Sequence, residues 1–155
     1  MAYTEQPVAT PQMSVGGGGN RNALNKSFDK DGKREWSYGL LGCFGDCGTC
    51  ITSTFCPCIV YSRNKSRIAH FQQNGTPHPN GGEGVGGACA VYSVLCCVGL
   101  SWILQIGTRG DVRGRYSIAG GTFGDCLASC CCTPCELTQE HREIELEEQH
   151  MGKQA

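Results

Sequence analysis

The stretch FGDCGTCITSTFCPC occupies residues 44–58, and a shorter version of it, FGDCLASCCCTPC, returns at residues 123–135. Both copies open with Phe-Gly-Asp-Cys and both reach a Pro-Cys pair a short distance further on. Chance is a poor explanation for two such copies in a chain of 155 residues. Either the two halves arose from one unit, or they converge on one shared site. The second explanation predicts two matched turns that bring two sets of thiols together.

The Gly-Asp pair of each copy is expected to shape the chain just before a helix. Glycine adopts backbone conformations that tight turns require, and an aspartate at a helix N-cap accepts hydrogen bonds from free backbone N–H groups. We therefore expect Gly45 and Gly124 to lie in turns, and Asp46 and Asp125 to cap the helices that follow.

Cysteine is the most unusual component of this chain, which has 13 Cys, all from Cys43 to Cys135. Soft thiolates bind Zn²⁺, Cu(I) or iron–sulfur clusters, and such a site needs about four donors. No four cysteines follow a standard zinc-finger spacing, so structural metal, labile or transported metal, disulfides and inert buried thiols all remain open. The predicted ligands, with Zn or another soft divalent metal as cofactor, are Cys47, Cys50, Cys56, Cys58, Cys126, Cys130, Cys132 and Cys135.

The beginning of the chain favours reduced thiols. Residues 1–10, MAYTEQPVAT, have neither the basic segment nor the apolar run of a secretory signal. In a reducing compartment, a Cys-rich pattern more often means metal binding or modification than disulfides. An unconventional route to an oxidising surface is the alternative.

One segment is apolar enough to suggest a membrane. Residues 84–108 carry no charge, and 85–107 have the length of a bilayer-spanning helix, about 20 residues. Its glycines and polar residues make a full span marginal, so a buried core helix and a re-entrant hairpin hinged near Gly99 are the alternatives. Cysteines near such a segment are candidates for S-acylation, and these are Cys96, Cys97 and Cys131.

The composition also indicates the domain organisation. Residues 1–35 are predicted to be a disordered Gly-rich arm, 36–144 one Cys-rich domain, and 145–155 a tail. The domain is expected to be mainly α, with irregular loops and one apolar helix that is a candidate for membrane insertion. The β-branched residues of 51–60 and 112–118 also allow short strands.

Several functional classes are excluded or disfavoured. A net charge of −1 argues against a nucleic-acid binder. No catalytic arrangement involves the histidines, which all fall in or beside predicted loops or the tail, so an enzyme is not expected. The Glu-rich helix over 136–149 is expected to have a solvated acidic face, which offers a surface to a protein partner.

Six motifs in order, from Trp36 to Ile144, resemble the Cys-rich domain of the cornifelin-like family, also called placenta-specific eight. The C-L-x₄-C-P-C box of that family is matched from Cys50 to Cys58, with Ile51 in the Leu position. The motifs are Trp36 with Gly39-Leu40-Leu41, Cys43 and Asp46; Cys50-Ile51-x₄-Cys56-Pro57-Cys58; Arg113-x-Arg115-Tyr116-x-Ile118; Gly124-Asp125-Cys126; Cys131-Cys132-x-Pro134-Cys135; and Gln139-Glu140-x-Arg142-Glu143.

The resemblance implies a role in metal resistance. Plant members of the family include cadmium-resistance proteins, which are similar to plasma-membrane exporters of Cd and Zn, and cell number regulators; fungal members are linked to cadmium tolerance. The family ties its Cys-Pro-Cys box, here Cys56 and Cys58, to that resistance.

The predicted function is therefore that of a membrane-associated protein of heavy-metal resistance or homeostasis, at the plasma membrane, acting by transport or by thiolate binding. Transport requires a homo-oligomer, because one marginal span cannot enclose an ion path. The alternative is a cytoplasmic or nuclear regulatory adaptor that holds structural zinc and acts through protein partners.

Overall fold

The computed structural model describes residues 21–154, in which all the regular structure is helical. Only two isolated β-bridges, Phe28 with Arg34 and Arg34 with Ile118, occur in this part of the chain. The elements are a 3₁₀ helix (Leu40–Asp46), α1 (Cys47–Phe55), α2 (Pro57–Asn74), α3 (Gly87–Cys97), α4 (Ser101–Tyr116), α5 (Thr122–Cys131) and α6 (Thr133–Gln154).

The mainly helical fold is confirmed, and the two short strands are wrong. Residues 51–60 span the end of α1 and the start of α2, and residues 112–118 belong mostly to the end of α4. Val112 is completely buried in the core there. Burial against neighbouring helices outweighs the weak preference of β-branched residues for strands.

The repeated sequence forms the same local structure twice. Cys56 ends α1 with φ −134° and ψ 64°, and Cys132 ends α5 with φ −148° and ψ 71°. In each copy a new helix starts directly afterwards, with Pro57 at the start of α2 and Pro134 near the start of α6. Proline fits the first turn of a helix because its missing N–H has no partner there. The repeat is therefore a helix–Cys–helix unit, and its first copy bends by 115°.

The apolar run is not the single helix predicted over residues 85–107. It is divided into α3 and α4 at Gly99, whose φ of +72° is a left-handed conformation that glycine adopts without strain. In the described chain, no helix by itself has both the length and the apolar character needed to cross a bilayer. One bent pair of helical segments, Leu40–Phe55 and Pro57–Asn74, has that length and apolar character when the two are taken together.

The helices α2 and α6 form the centre of the fold. The main core cluster joins Ile68 and Phe71 of α2 to Ile144 of α6, with Val112 and Tyr116 of α4 beside them. A second cluster adds α3, which packs on α2 through Tyr92 and Tyr61, whose ring centroids are 4.8 Å apart. The 3₁₀ helix and α1 lie against α6, and α5 lies against α4.

Ordered structure extends beyond both predicted ends of the domain. Arg34, which falls in the predicted arm, is buried and donates from Nη2 to a Glu143 carboxylate oxygen at 2.6 Å. At the other end, α6 continues to Gln154, beyond the helix predicted over 136–149. Residues 1–20 of the predicted arm lie outside the described residues.

The solvated acidic face predicted for 136–149 is also wrong, because one stripe of α6 glutamates is buried. Charges from distant parts of the chain pair with three glutamates of this helix. Arg34 pairs with Glu143, Arg115 with Glu147 at 2.7 Å, and Arg67 with the half-buried Glu148. The buried glutamates are Glu136, Glu140, Glu143 and Glu147.

The two Gly-Asp pairs have different roles despite their identical sequence. Asp46 caps α1 and accepts from the Thr49 N–H at 3.2 Å, as predicted. Asp125 is not a cap: it lies inside α5, where its carboxylate accepts from Arg109 Nε at 3.0 Å. Gly45 supports a close approach, because a Cβ built there would lie 2.8 Å from Arg142 Nη1.

We expect Gly45→Ala and Gly124→Ala to change stability in opposite directions. An alanine at 45 displaces the Arg142 guanidinium, which donates to the Gly42 carbonyl at 2.7 Å and stacks on Tyr38, so about 1–2 kcal/mol is lost. An alanine at 124 meets nothing within 4 Å and adds up to about 1 kcal/mol of helix propensity. Chemical denaturation measures both, and equal losses at the two positions would contradict this account.

Candidate thiol sites

The first thiol group lies where α1 meets α6 and comprises Cys43, Cys47, Cys50 and Cys135. The Sγ atoms of Cys43 and Cys135 are 3.7 Å apart. Cys43 and Cys47 are also the nearest thiols to Cys50: burial, and then these two neighbours, raise the pKa of the Cys50 thiol. Cys43, Cys47 and Cys50 follow one another at intervals of four and three residues. This spacing places their side chains on one face of the chain as it enters α1.

The second thiol group joins the Cys-Pro-Cys box to a third cysteine from α3. The thiols of Cys58 and Cys56 lie beside Cys89. Burial raises the pKa of the Cys89 thiol, and Cys58 and then Cys56 raise it further. Cys56 is exposed at the bend between α1 and α2. Because α3 packs on α2, tertiary structure brings Cys89 to this box.

The third thiol group lies on α5 and comprises Cys126, Cys130 and Cys131. Partial desolvation by the neighbouring helix surface, followed by the adjacent Cys126 and Cys131 thiols, raises the pKa of the Cys130 thiol. Cys130 and Cys131 are exposed, and Cys126 is half-buried. The helix α5 therefore exposes two of these three thiols, Cys130 and Cys131, to solvent.

The eight predicted ligands are not gathered in one place. All but Cys132 are divided among the three groups, and Cys132 is bonded to Cys135 as a disulfide. The two Pro-Cys turns are nevertheless neighbours, since Ser53 Oγ near the end of α1 donates to the Pro134 carbonyl at 3.3 Å. Metal binding by these thiols stays a prediction, with Cys43, Cys89 and Cys131 as members that the predicted ligand set missed.

One mixed donor group was not predicted: Asp46, His141 and Glu145, whose ligand atoms lie within 4.8 Å of one another. His141 lies in the middle of α6, one turn before Glu145, within the helix predicted over 136–149. Burial, and then the charge of Arg67, lower the pKa of His141 to about 4. The imidazole is therefore neutral at pH 7.

The hydrogen bonds of His141 favour a polar network over a ready metal site. Arg67 Nη1 lies 2.8 Å from His141 Nδ1, and because arginine only donates, Nδ1 accepts and the ring hydrogen sits on Nε2. A metal at either ring nitrogen would have to displace this arrangement. Two cavities of about 360 and 260 Å³ border the group, and Asp46 lines both.

The helices that carry thiols also expose apolar side chains. The helices α1 and α3 have no charged residue, and the one charge of α5, Asp125, is buried. Phe55 is 81% exposed and Phe123 is 79% exposed. All three predicted acylation sites are exposed at helix ends, Cys96 and Cys97 on α3 and Cys131 on α5. The other exposed apolar residues on or beside these helices are Phe44, Ile51, Val91, Val94, Val98 and Leu127.

The fold and the thiol groups assign this protein to a class of small, thiol-rich α proteins. Its features are duplicated helix–Cys–helix units and separate groups of thiols. Within that class, the chain belongs to the PLAC8 family, whose model matches residues 36–143. This confirms the resemblance to the cornifelin-like, placenta-specific-eight family.

Similar proteins carry names from plant growth and metal resistance. Cell number regulator 10 of Zea mays is 35% identical over 111 residues, covering 71% of this chain and 64% of the relative. Protein PLANT CADMIUM RESISTANCE 2 of Arabidopsis thaliana is 35% identical over 111 residues, covering 71% and 66%. Cell number regulator 11 of Zea mays is 31% identical over 131 residues, covering 84% and 76%. No solved structure matches the chain.

The chain therefore covers between 64% and 76% of the length of these three relatives. Their names associate the family with cadmium resistance and with the regulation of cell number.

Proposed function

We propose that this protein binds soft divalent metal ions such as Zn²⁺ or Cd²⁺ through its exposed thiol groups, at the surface of a membrane, as part of metal resistance or homeostasis. The observation that carries the proposal is the placement of all three thiol groups on or beside the uncharged helices α1, α3 and α5. The relatives named for cadmium resistance support the same class of metal. No enzymatic step is part of the proposal.

Three separate groups favour thiolate binding over a single enclosed ion path. Each offers about three free thiols, one fewer than the four donors of a tetrahedral soft-metal site. A fourth donor then comes from water, from a second copy of the chain or from a carrier that delivers the ion. An oligomer that closes these sites is consequently part of the proposal.

The elevated thiol pKa values give metal binding a definite pH dependence. Desolvation and neighbouring thiols raise the pKa values of Cys50, Cys89 and Cys130. These thiols therefore hold their protons at neutral pH. Each must lose a proton when a metal ion binds. We therefore expect affinity for Cd²⁺ to fall steadily as the pH is lowered, with proton release measurable in weakly buffered solution.

Replacing Cys56 and Cys58 together with serine is expected to remove one of the three sites. Titration of the reduced protein with Cd²⁺, followed by thiolate absorbance, should then show a loss of about one third of the bound metal. The matched control is Cys96→Ser with Cys97→Ser, which changes two exposed thiols outside the three groups. Unchanged stoichiometry in the first variant, or equal losses in both, would contradict the proposal.

Membrane association is expected to depend on the exposed phenylalanines. Phe44→Ser, Phe55→Ser and Phe123→Ser combined remove three apolar side chains that are each at least 77% exposed, so folding should be little changed. Each buried aromatic ring contributes about 2 kcal/mol, so partitioning onto lipid vesicles should fall by well over tenfold. Thermal unfolding controls for folding, and vesicle binding that survives the triple change would argue against this surface.

The alternative role as a structural-zinc adaptor has lost one of its supports. The exposed acidic face that would recruit a partner is absent from α6, because its central glutamates are buried. Retention of zinc through prolonged dialysis would favour the adaptor, whereas rapid exchange would favour metal handling.

A further inference from the structure

The centre of the helical bundle contains two glutamates with no partner. Glu136 and Glu140, one turn apart on α6, are both completely buried. None of their four carboxylate oxygens has a partner at hydrogen-bonding geometry; the neighbouring Ser129 hydroxyl and Asn64 amide donate instead to the Asp125 and Leu137 carbonyls. We call these two residues the carboxylate pair.

A third buried side chain, linked to the pair through Tyr92, also has an acceptor without a donor. Gln105 of α4 is 1% exposed and its Oε1 is unpaired. Its amide nitrogen donates to Tyr92 Oη at 2.5 Å, and Tyr92 is in turn close enough to Glu136 to feel its charge. Five acceptor oxygens are thus unpaired in this part of the bundle, against one unpaired N–H nitrogen, Arg109 Nη1.

The charges around the pair do not balance. Asp125 of α5 already forms ion pairs with Arg109 and Arg113, at 3.0 and 2.5 Å. Adding the pair gives three carboxylates for two guanidinium groups. The other polar groups beside the pair are uncharged: Asn64 from α2, Tyr92 from α3 and Ser129 from α5.

A buried carboxylate without a positive partner is costly by several kcal/mol, so the site requires a further positive charge. Carboxylate and amide oxygens are ligands for hard metal cations, and a carboxylate oxygen also binds a proton. Soft metal ions prefer the thiols elsewhere in this chain. We propose that Glu136 and Glu140 form a buried site for one hard cation, a proton or an oxygen-preferring metal ion, with Gln105 as a further oxygen ligand.

The carboxyl groups already hold protons more tightly than usual. Burial raises the pKa of Glu136 to about 7 and raises that of Glu140 well above its usual value, with repulsion from Glu136 as the next cause for Glu140. This supports proton binding near neutral pH. The geometry of unpaired oxygens supports the site independently of these values, and the site is also independent of the thiol function proposed above.

Two measurements on the purified full chain test the site and identify its occupant. Infrared difference spectra between about pH 6 and pH 9 report protonated carboxyl groups, since Glu is otherwise ionised over that range. Thermal unfolding at the alkaline end, with Ca²⁺, Mg²⁺ or Na⁺, reports metal binding without involving thiols. The variants are Glu136→Gln with Glu140→Gln, and as control Glu145→Gln, a half-buried glutamate on the same helix.

A protonated-carboxyl band that titrates in the wild type and in the control, and is lost in the double variant, identifies the proton as the occupant. A metal that raises the unfolding midpoint by several degrees at about 100-fold excess over its Kd, in the wild type and the control but not in the double variant, identifies a metal ion. The proposal is overturned if neither signal appears, if either survives the double substitution, or if Glu145→Gln abolishes it.

Discussion

Glu143→Ala is expected to lower the free energy of unfolding by about 3–5 kcal/mol, the cost of leaving one member of a buried ion pair alone. The Glu143 carboxylate accepts from Arg34 Nη2 at 2.6 Å, from the Ser37 N–H at 3.0 Å and from Ser37 Oγ at 2.7 Å. The side chains of Arg34 and Glu143 are 1% and 2% exposed, so water cannot replace the lost partner. Chemical denaturation of the purified protein measures the effect.

Two further variants separate the lost charge partner from a general sensitivity of α6. Glu145→Ala removes a half-buried glutamate from the same helix and should cost less than about 1 kcal/mol. Arg34→Met combined with Glu143→Leu removes both charges, and should recover most of the loss because no charge stays buried alone. A double variant as unstable as the sum of its single changes would contradict this explanation.

Glu136→Gln is expected to stabilise the protein at alkaline pH. The folded protein holds the Glu136 proton with a pKa of about 7, against a reference value of 4.5. The folded state therefore binds more protons than the unfolded state between these values, and the free energy of unfolding falls as pH rises through this window. The variant has no carboxylate at this position, so its free energy of unfolding does not fall in this way. In the wild type the fall reaches about 3 kcal/mol above pH 7, at about 1.36 kcal/mol per pH unit.

The measurement is chemical denaturation as a function of pH, in buffer with a chelator so that no metal occupies the site. The difference between the variant and the wild type should vanish below about pH 4.5, where the glutamate is protonated in both folded and unfolded chains. Glu145→Gln, with the same change of charge, should follow the wild-type curve. A constant offset at all pH values would indicate a packing effect and refute the titration.

The local breaks in the fold could be predicted from single residues. Gly99 was identified as a hinge because glycine adopts positive φ, and the chain turns there. The prolines near the starts of α2 and α6 follow from their fixed φ and missing N–H. Residues 85–107 do not form one helix, because apolar length does not determine whether a glycine continues or ends a helix.

The candidate site could be predicted only in part. Spacing along the helix predicts that Cys47 and Cys50 lie together, and the Cys-Pro-Cys box keeps Cys56 near Cys58. Cys89 joins that box from α3, separated by a long loop, and no spacing rule reports such a contact. His141 and Glu145 have a helical spacing inside the helix predicted over 136–149, but Asp46 joins them from a distant segment, and no spacing rule reports such a contact.

The sequence by itself determined the family, the supply of thiols and the breaks at Gly99 and at the two Pro-Cys turns, because these depend on residue chemistry and on neighbours along the chain. The tertiary structure alone decided which thiols meet and which charges are buried. A stripe of glutamates on a helix looks the same in sequence whether it faces water or arginines. On α6 it is buried because Arg34 and Arg115, from distant segments, supply the opposite charge to Glu143 and Glu147, and burial without that pairing would cost several kcal/mol.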